Sequence, residues 1–305
     1  MIKKRIKQIV RPLYDGICRL LTNVFGADIS KGYQYVHFKR KAAFFPTFGE
    51  SEIISWLREQ GIESGDTLFL HSSWDHFVNF NGSPKSLIDA LVDFIGPEGT
   101  LLMPAFPAVQ DPTQVFKVRR TPSGAGFLTE IFRRYPGVKR SINLNHSVCA
   151  LGPQAEFLIN THHLSETSWD QNSPYYRLRE IDNSWIVGMG VGHDLKVATS
   201  LHCVDSMLKD DLPFFNQLFS NPVTYTYEDA EKQTGTHTFY PRIGGKLNTK
   251  KVARKMGEQL REGYVSNLDA YVIPARHLID HAIELGKNGV TMYRWPIPYQ
   301  WKFKK

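Results

Sequence analysis

The sequence predicts an α/β protein, a layered α/β/α domain that carries an antiparallel hairpin as an addition. From about residue 46 short apolar runs alternate with amphipathic stretches, as strands and helices alternate in such domains. The chain has 305 residues, which is enough for one large domain of this class or two small ones. Its apolar content of 42% is ordinary for a globular protein, so a substantial core can form.

The individual elements follow from the periodicity and from turn residues. Helices are predicted over residues 50–60, 86–95 and 127–134, the second starting after Ser83-Pro84 and ending at Gly96-Pro97. Short apolar runs bounded by turn residues predict buried strands. These runs cover residues 67–71, 100–103, 147–151 and 185–191. Alternation over 223–227 and 236–240 predicts an antiparallel hairpin, and two further helices are expected over 250–262 and 275–285.

Residues 1–45 are predicted to form a basic amphipathic arm, and residues 46–305 the main domain. Within residues 1–25 apolar side chains recur at near-helical spacing between basic ones, and Pro12 is expected to kink or restart this helix. Such an arm can pack on the main domain, pack on a second subunit of a homo-oligomer, or lie on an anionic membrane surface. The sequence leaves these alternatives open.

Charge and cysteine content restrict the partners and the compartment. The formal charge of +7 suits an anionic partner, but much of the excess lies in the two terminal segments, so we expect no nucleic-acid partner. No apolar run reaches the length of a membrane span, and no secretory signal is recognisable. Three cysteines without a CxxC pair do not form a disulfide framework. We expect a cytoplasmic protein, with peripheral contact to the inner membrane left open.

The most informative segment is a strand-loop-helix corner. The apolar run Trp185–Val187 leads into a glycine loop, and Thr199-Ser200-Leu201-His202 then reads as the start of a helix. In open α/β sheets ligands bind at such corners. His202 and Asp205 are three residues apart, so a helix places them on one face, where the carboxylate can orient the imidazole as a general base.

Two other segments offer groups for an anionic or thioester ligand. Ser72 and Ser73 follow a predicted strand, and hydroxyls at such strand ends can bind phosphate or simply cap the turn. Lys139 and Arg140, followed by Ser141, can clamp a phosphate or form surface ion pairs.

Together with other short motifs, these segments resemble the aminoglycoside 3-N-acetyltransferase family. The resemblance covers roughly residues 48–210, with seven motifs in the family's order at near-family spacing, and weakens afterwards. The motifs are Leu70-His71-Ser72-Ser73, Gly96-Pro97-x-Gly99-Thr100-Leu101-Leu102-Met103-Pro104, Val138-Lys139-Arg140-Ser141, Gly152-Pro153-Gln154-Ala155, Ser173-Pro174, Gly190-Val191-Gly192-His193-Asp194 and Thr199-Ser200-Leu201-His202.

The resemblance implies direct transfer of an acyl group from acetyl-CoA, or another acyl-CoA, to an amine of an amino sugar, with no metal. Carried over residue by residue, His202 matches the base that deprotonates the amine, assisted by Asp205. Thr199 and Ser200 match the pair at the thioester end of coenzyme A. Ser72, Ser73, Arg140 and Ser141 match positions near the cofactor.

The sequence also departs from the family. Asn143-Leu144 stand where the family has His-Pro, and Asp205 stands where it commonly has glutamate. Arg242 occupies a region where aminoglycoside-modifying members carry carboxylates, and the stretch around Asp170 lacks a histidine that some members have. Taking Asp170 and Arg242 as acceptor-binding residues, we expect an anionic or nucleotide-linked amino sugar of surface polysaccharide synthesis. A true aminoglycoside 3-N-acetyltransferase that confers antibiotic resistance is the alternative.

Other interpretations of the sequence remain open. The glycine loop at 188–192 superficially resembles a dinucleotide loop, although its spacing is GxGxG. Cys203 could act as a covalent nucleophile. A metal site could form from His193, Asp194, His202 and Asp205. A membrane-associated binding protein without catalysis would rest on residues 1–25.

Overall fold

The computed structural model describes residues 44–193, 195–243 and 247–293. By its internal contacts the chain divides into Met1–Thr47 and Phe48–Lys305, and every element below belongs to the second unit. Except for Phe44 and Phe45, the predicted arm of residues 1–45 lies outside the described residues.

A seven-stranded mixed sheet forms the centre of the domain. Its spatial order is β4-β5-β2-β1-β6-β10-β9, in which β2, β1 and β6 run parallel and the remaining pairs are antiparallel. The strands of this sheet are β1 Thr67–Ser72, β2 Thr100–Pro104, β4 Lys139–Arg140, β5 Val148–Leu151, β6 Ser184–Met189, β9 Arg261–Val265 and β10 Leu268–Pro274.

Alternating side chains on the central strands fill two separate cores. On β1, Leu68 and Leu70 point to one face, whereas Phe69 points to the other, and all three are almost completely buried. A strand with apolar residues on both faces must be covered on both sides. This is why the sequence of β1 is an unbroken apolar run.

Helices cover both faces of the sheet, so the predicted layered α/β/α fold is confirmed. The face of Leu68 is covered by α1 Glu50–Glu59, α2 Pro84–Ile95 and α3 Phe127–Arg133. The face of Phe69 is covered by α4 Ala155–Ile159, α5 Pro174–Arg177, α6 Cys203–Met207, α7 Pro213–Asn216, α8 Lys250–Lys255 and α9 Ala275–Lys287. Helix α2 begins as predicted, because the Ser83 hydroxyl accepts from the backbone N–H of Ser86.

The predicted hairpin is present as part of a second, three-stranded sheet. It consists of β3 Phe116–Lys117, β7 Val223–Glu228 and β8 Thr234–Phe239, with β7 in the middle. Phe116, Tyr225 and Phe239 pack together under it as a separate apolar cluster.

The helix predicted over 250–262 is wrong in its second half. Helix α8 ends at Lys255, a short 3₁₀ turn follows at Gly257–Gln259, and Arg261 then begins β9. Gly257 has a φ of 59°, a conformation that stops a helix readily. Strands β9 and β10, which the sequence analysis missed, pair around a turn at Ser266 and place β10 beside β6.

Within the described residues, no helix combines the length and apolarity needed to cross a membrane.

Candidate active site

The predicted strand-loop-helix corner lies at the edge where the parallel strands end. Ser73 follows β1 directly, and its backbone N–H donates to the carbonyl of Met189, the last residue of β6. After β6 the chain makes a glycine loop and enters a 3₁₀ turn at Thr199–His202 that continues into α6. This edge is where an open α/β sheet binds ligands.

His202 and Asp205 meet side by side in the structure. The Nδ1 of His202 lies 3.0 Å from the Oδ2 of Asp205, to which it donates, since a carboxylate can only accept. Nε2 therefore carries the lone pair, and it has no hydrogen-bond partner among the residues the structure describes. The Asp205 side chain is completely buried, whereas that of His202 is 11% exposed.

Two residues that are distant in the sequence also contact Asp205. The hydroxyl of Tyr293 donates to Oδ2, the same oxygen that accepts from His202. Nη1 of Arg242 donates to the Tyr293 hydroxyl at 3.1 Å, and Nε of Arg242 lies 4.0 Å from Oδ2. The buried carboxylate of Asp205 thus interacts with an imidazole, a phenol and a guanidinium at once.

Burial lowers the pKa of His202, and the positive charge of Arg242 acts in the same direction. The hydrogen bond and charge of Asp205 oppose this shift without cancelling it. A lowered pKa keeps the imidazole neutral at physiological pH, which a general base requires. Asp205 then favours the imidazolium that forms when His202 takes up a proton.

Aromatic rings line the environment of His202. The ring of Trp169 lies 5.0 Å from that of His202, and the ring of His146 lies 4.4 Å from Trp169. Nε1 of Trp169 and Nδ1 of His146 are buried and have no partner among the described residues. Burial, followed by the charge of His202, holds the pKa of His146 well below its usual value, so this ring stays neutral.

An open cleft of about 770 Å³ lies beside the corner. Its walls include Ser73, the glycine loop Gly190–His193, and the basic residues Lys196, Lys250 and Arg254. Gly190 has a φ of 70°, and a Cβ there would lie 2.9 Å from the carbonyl oxygen of Ser73. Glycine is therefore required at this position so that the loop can approach β1 closely.

Thr199 and Ser200 come shortly after Val197 in the sequence, a residue that lines the cleft. Val197 lines the cleft, and the Thr199 hydroxyl donates to its carbonyl at 3.3 Å. Ser200 is fully buried, and its hydroxyl has no partner within the described residues. A buried hydroxyl without a hydrogen-bond partner costs free energy. Ser200 does not line the cleft, so a ligand in the cleft does not contact its hydroxyl.

Comparison with known proteins identifies the family. A sequence profile described as aminoglycoside 3-N-acetyltransferase matches residues 69–286. The chain belongs to this family. Aminoglycoside N(3)-acetyltransferase IV from Salmonella sp is 35% identical over 162 residues, which are 52% of this chain and 59% of that protein. The chain thus spans about three fifths of the length of this curated relative.

Two further members of the aminoglycoside 3-N-acetyltransferase family support the assignment. The SPbeta prophage-derived aminoglycoside N(3')-acetyltransferase-like protein YokD from Bacillus subtilis (strain 168) is 29% identical over 172 residues, 49% of this chain and 62% of that one. A mutant of aminoglycoside acetyltransferase AAC(3)-IVa, solved in complex with a gentamicin, superposes with a TM-score of 0.68 at 27% identity. That superposition covers 82% of this chain and 93% of the other.

Against this family background, Arg140 and Ser141 lie away from the cleft. Arg140 is buried, and its guanidinium donates to the carbonyls of Ala105, Val118 and Thr121 and to the hydroxyl of Ser147. Burial lowers its pKa to about 10. The structure gives these donors a role in tying loops together, which differs from the predicted phosphate clamp.

Ser141 is likewise occupied within the interior. Its hydroxyl accepts from the backbone N–H of Val148 and donates to Nδ1 of His162, both at 2.8 Å. It is 1% exposed, so a ligand in the cleft cannot reach it.

The two predicted acceptor residues have different positions relative to the corner. Asp170 is buried, and its oxygens accept from the backbone N–H groups of Thr167 and Asn172, each at 3.0 Å. It shapes the loop that carries Trp169. Arg242 does lie at the site, but beside Asp205, and its side chain is only 15% exposed.

The covalent and metal alternatives fit the structure less well. Burial, with the charges of Asp170 and Asp205, raises the pKa of Cys203 well above its usual value, so the thiol stays protonated and is a poor nucleophile. Nε2 of His193 is bonded to the carbonyl of Gly263 at 3.1 Å. Within the described residues no group of three His, Cys, Asp or Glu side chains is placed to hold a metal, and Asp194 lies outside them.

The first glycine of the predicted dinucleotide loop, Gly188, has a packing role. It lies inside β6, where a Cβ would lie 2.0 Å from the ring of Tyr271 on the neighbouring strand β10. This glycine therefore admits an aromatic ring into the core.

Sequence analysis missed Tyr293, Trp169 and His146 as members of the site. Tyr293 lies 88 residues from Asp205, so no local pattern could connect them. His146 and Trp169 lie in segments between elements, close to family motifs but outside them. The presence of aromatic rings in these loop segments was the one sequence feature that could have indicated His146 and Trp169 as site residues.

Proposed function

We propose that this protein is an N-acetyltransferase that transfers an acetyl group from acetyl-CoA to an amine of an aminoglycoside-type amino sugar. The observation that carries the proposal is the His202–Asp205 pair at the carboxyl edge of the sheet, in which no described residue hydrogen-bonds Nε2 of His202. Membership of the aminoglycoside 3-N-acetyltransferase family supports the reaction class.

The pair performs the proton transfer that the reaction needs. The acceptor amine is an ammonium ion in neutral solution and must lose a proton before it can attack a carbonyl. Nε2 of His202 takes up that proton while Nδ1–H stays bonded to Asp205, whose negative charge stabilises the resulting imidazolium. Acetyl-CoA supplies the acetyl group as a thioester, and coenzyme A leaves as the thiol. As the C–N bond forms and the C–S bond breaks, the attacking nitrogen loses its second proton to water. His202 returns the first proton to the departing sulfur, which restores the neutral base.

The cleft has the composition expected of a coenzyme A site. Lys196, Lys250 and Arg254 supply positive charge for phosphate groups, and the glycine loop supplies backbone that a ligand can approach closely. Ser73 also lines this cleft.

The acceptor prediction changes in the light of the structure. An anionic acceptor was expected because Arg242 was taken to face it as an uncompensated cation. Arg242 instead lies 4.0 Å from the carboxylate of Asp205 and donates to Tyr293, so its charge is largely offset and the basis for that expectation is lost.

Other observations favour a cationic amino sugar. The curated relative of 35% identity is named an aminoglycoside N(3)-acetyltransferase, and a structural relative of 27% identity binds a gentamicin.

A thiol-release assay with acetyl-CoA tests the proposal. The panel should contain gentamicin, apramycin and a nucleotide-linked amino sugar, with wild type, His202→Gln and His163→Gln. We expect turnover with at least one aminoglycoside and a loss of about 10²–10⁴-fold in His202→Gln, the usual contribution of a general base. His163 lies half-exposed in a separate 3₁₀ turn and serves as the matched control.

The assay also separates the acceptor classes. Turnover of the nucleotide-linked sugar alone would restore the anionic acceptor and discard the aminoglycoside. Full activity in His202→Gln would remove His202 as the base.

A further inference from the structure

Tyr293 and Arg242 both act on Asp205, the carboxylate that assists the base. One carboxylate oxygen, Oδ2, accepts from both His202 Nδ1 and the Tyr293 hydroxyl. Oδ1 of Asp205 is buried and has no partner among the described residues. The His202 ring and the Tyr293 hydroxyl therefore share the negative charge of one oxygen, Oδ2, while Oδ1 accepts no hydrogen bond from the described residues.

The competing donor is fixed in place by the third member of the cluster. Arg242 donates to the Tyr293 oxygen and also lies over its ring, with the guanidinium carbon 5.8 Å from the ring centre. A phenol that accepts from a guanidinium becomes a stronger donor, so its bond to Asp205 is reinforced. Burial and the charge of Asp205 both raise the pKa of Tyr293 well above the usual value. It stays protonated and remains a donor throughout the working pH range.

We propose that Tyr293 and Arg242 are positioning residues that set the proton affinity of His202, by drawing charge from the oxygen through which Asp205 assists it. This inference rests on the proposed function, because it concerns the same general base. Neither residue needs to touch the substrate. Their effect reaches the reacting amine only through Asp205 and the imidazole.

The charge of Asp205 has two opposing effects on the base. A carboxylate with an undivided charge would hold the imidazolium more strongly and would oppose the burial that lowers the pKa of His202. With part of that charge engaged by Tyr293 and Arg242, the neutral imidazole is favoured at rest. Enough charge remains on Asp205 to stabilise the imidazolium when it forms during the reaction.

The other groups around His202 do not substitute for this pair. His146, on the segment before β5, is held neutral by burial, which lowers its pKa. Asp170, on the Trp169 loop, is bonded to backbone N–H groups. Among the described residues, Asp205 on α6 is the one carboxylate hydrogen-bonded to the His202 ring. Besides His202, the described side chains that make polar contacts with this carboxylate are Tyr293 and Arg242.

Histidine titration by NMR on the resting, full-length protein tests the inference without any substrate. The ¹³C-labelled ring signals of the 11 histidines are followed against pH, and His202 is assigned by its absence in His202→Gln. Tyr293→Phe removes only the hydroxyl and keeps the ring that packs 5.9 Å from Phe214. We expect the His202 midpoint to rise by about one pH unit in Tyr293→Phe and in Arg242→Gln.

Two variants make the comparison strict. Tyr135→Phe removes another tyrosine hydroxyl that donates to a carboxylate, that of Asp89 at 2.8 Å, on the other face of the sheet, and should leave the His202 midpoint unchanged. Arg242→Lys keeps the positive charge that Arg242→Gln removes, so its His202 midpoint should lie closer to that of wild type. If Tyr293→Phe does not fold, the two Arg242 variants still decide the matter.

The outcome is distinguishable from failure of the proposed function. A His202 midpoint that stays within about 0.2 units of wild type in both Tyr293→Phe and Arg242→Gln, or that falls, overturns the inference, since a raised proton affinity is its direct consequence. In an active enzyme the acid limb of kcat/KM should move upward with the midpoint. An enzyme without acetyltransferase activity but with the raised midpoint would refute the function alone.

Discussion

At the residue scale, burial and hydrogen bonding decide what each polar side chain can do. No described residue hydrogen-bonds Nε2 of His202, and this side chain is partly exposed, so a ligand could exchange a proton with it. Arg140 also belongs to a family motif, but carbonyl groups of the protein occupy its donors. The sequence suggested a ligand-binding or catalytic role for both His202 and Arg140. In the structure only His202 is placed to meet a ligand, whereas Arg140 is bonded within the protein.

Arg140→Ala should destabilise the protein without changing cofactor binding. Removing the guanidinium leaves several buried carbonyls without a donor, and we expect a loss of about 3 kcal/mol in the free energy of unfolding. The KM for acetyl-CoA of the folded fraction should stay within about twofold of wild type. Urea denaturation and steady-state kinetics measure the two quantities.

Lys139→Ala is the matched control for this change. Lys139 is exposed and pairs with Glu156 on the surface at 2.8 Å, so its loss should have little effect on stability. A stable Arg140→Ala protein with a strongly raised KM would instead support the phosphate clamp that the sequence predicted.

At the element scale, helix α8 provides the charge that the cleft needs. Lys250 and Arg254 are four residues apart, so they share the helix face that lines the cleft. Both side chains are exposed, so a ligand in the cleft can reach their charges. The sequence analysis gave this helix about twice its actual length, and its ligand-facing side was not recognised.

Lys250→Gln and Arg254→Gln should each weaken binding of acetyl-CoA. Loss of one charge-assisted contact to a phosphate is expected to raise KM about tenfold, with kcat nearly unchanged. The effect should shrink at high salt, because added ions screen the remaining contacts. Kinetics at two ionic strengths measure both parts of the prediction.

Lys251→Gln provides the control on the same helix. Lys251 is exposed but does not line the cleft. A rise in KM of the same size in this variant would show that general surface charge, and not the cleft, attracts the cofactor.

At the scale of the whole molecule, several buried histidines make stability depend on pH. Burial lowers the pKa of His71 and of His162 to about 3 in the folded protein. In the unfolded chain both return to about 6.5, so the unfolded state binds more protons as the pH falls below that value. Stability from these groups is therefore complete above pH 6.5 and is lost between about pH 6.5 and pH 3.

His71→Leu should reduce this acid sensitivity. For each buried neutral histidine, the free energy of unfolding is expected to fall by about 2 kcal/mol between pH 7 and pH 5. The reason is that protonation of this histidine stabilises the unfolded chain. Nε2 of His71 has no partner among the described residues, so leucine removes a titrating group without breaking a hydrogen bond there. Urea denaturation at the two pH values measures the difference, and an unchanged difference in His71→Leu would contradict the argument.

The local sequence was sufficient for the layered fold and for the position of the corner. Apolar runs marked β1, β2, β5 and β6, because a central strand buried on both faces favours apolar residues on both sides of the chain. The three-residue spacing of His202 and Asp205 likewise placed both side chains on one helical face. Strand β9 escaped detection, because the charged and small residues of this edge strand resemble a continuing helix. Strand β10 lies inside the sheet, and its buried apolar run was left without an assignment.

What the sequence determined by itself was the fold class, the family and the proton-accepting pair, since each depends on residues that are near one another in the chain. Tertiary structure alone decided that Tyr293 and Arg242 share the carboxylate of Asp205, and that Arg140 serves the interior. The physical reason is that charge and hydrogen bonding act through space over a few ångströms. Arg242 and Tyr293 come to Asp205 from 37 and 88 residues away, and a local sequence pattern cannot reveal contacts over such separations.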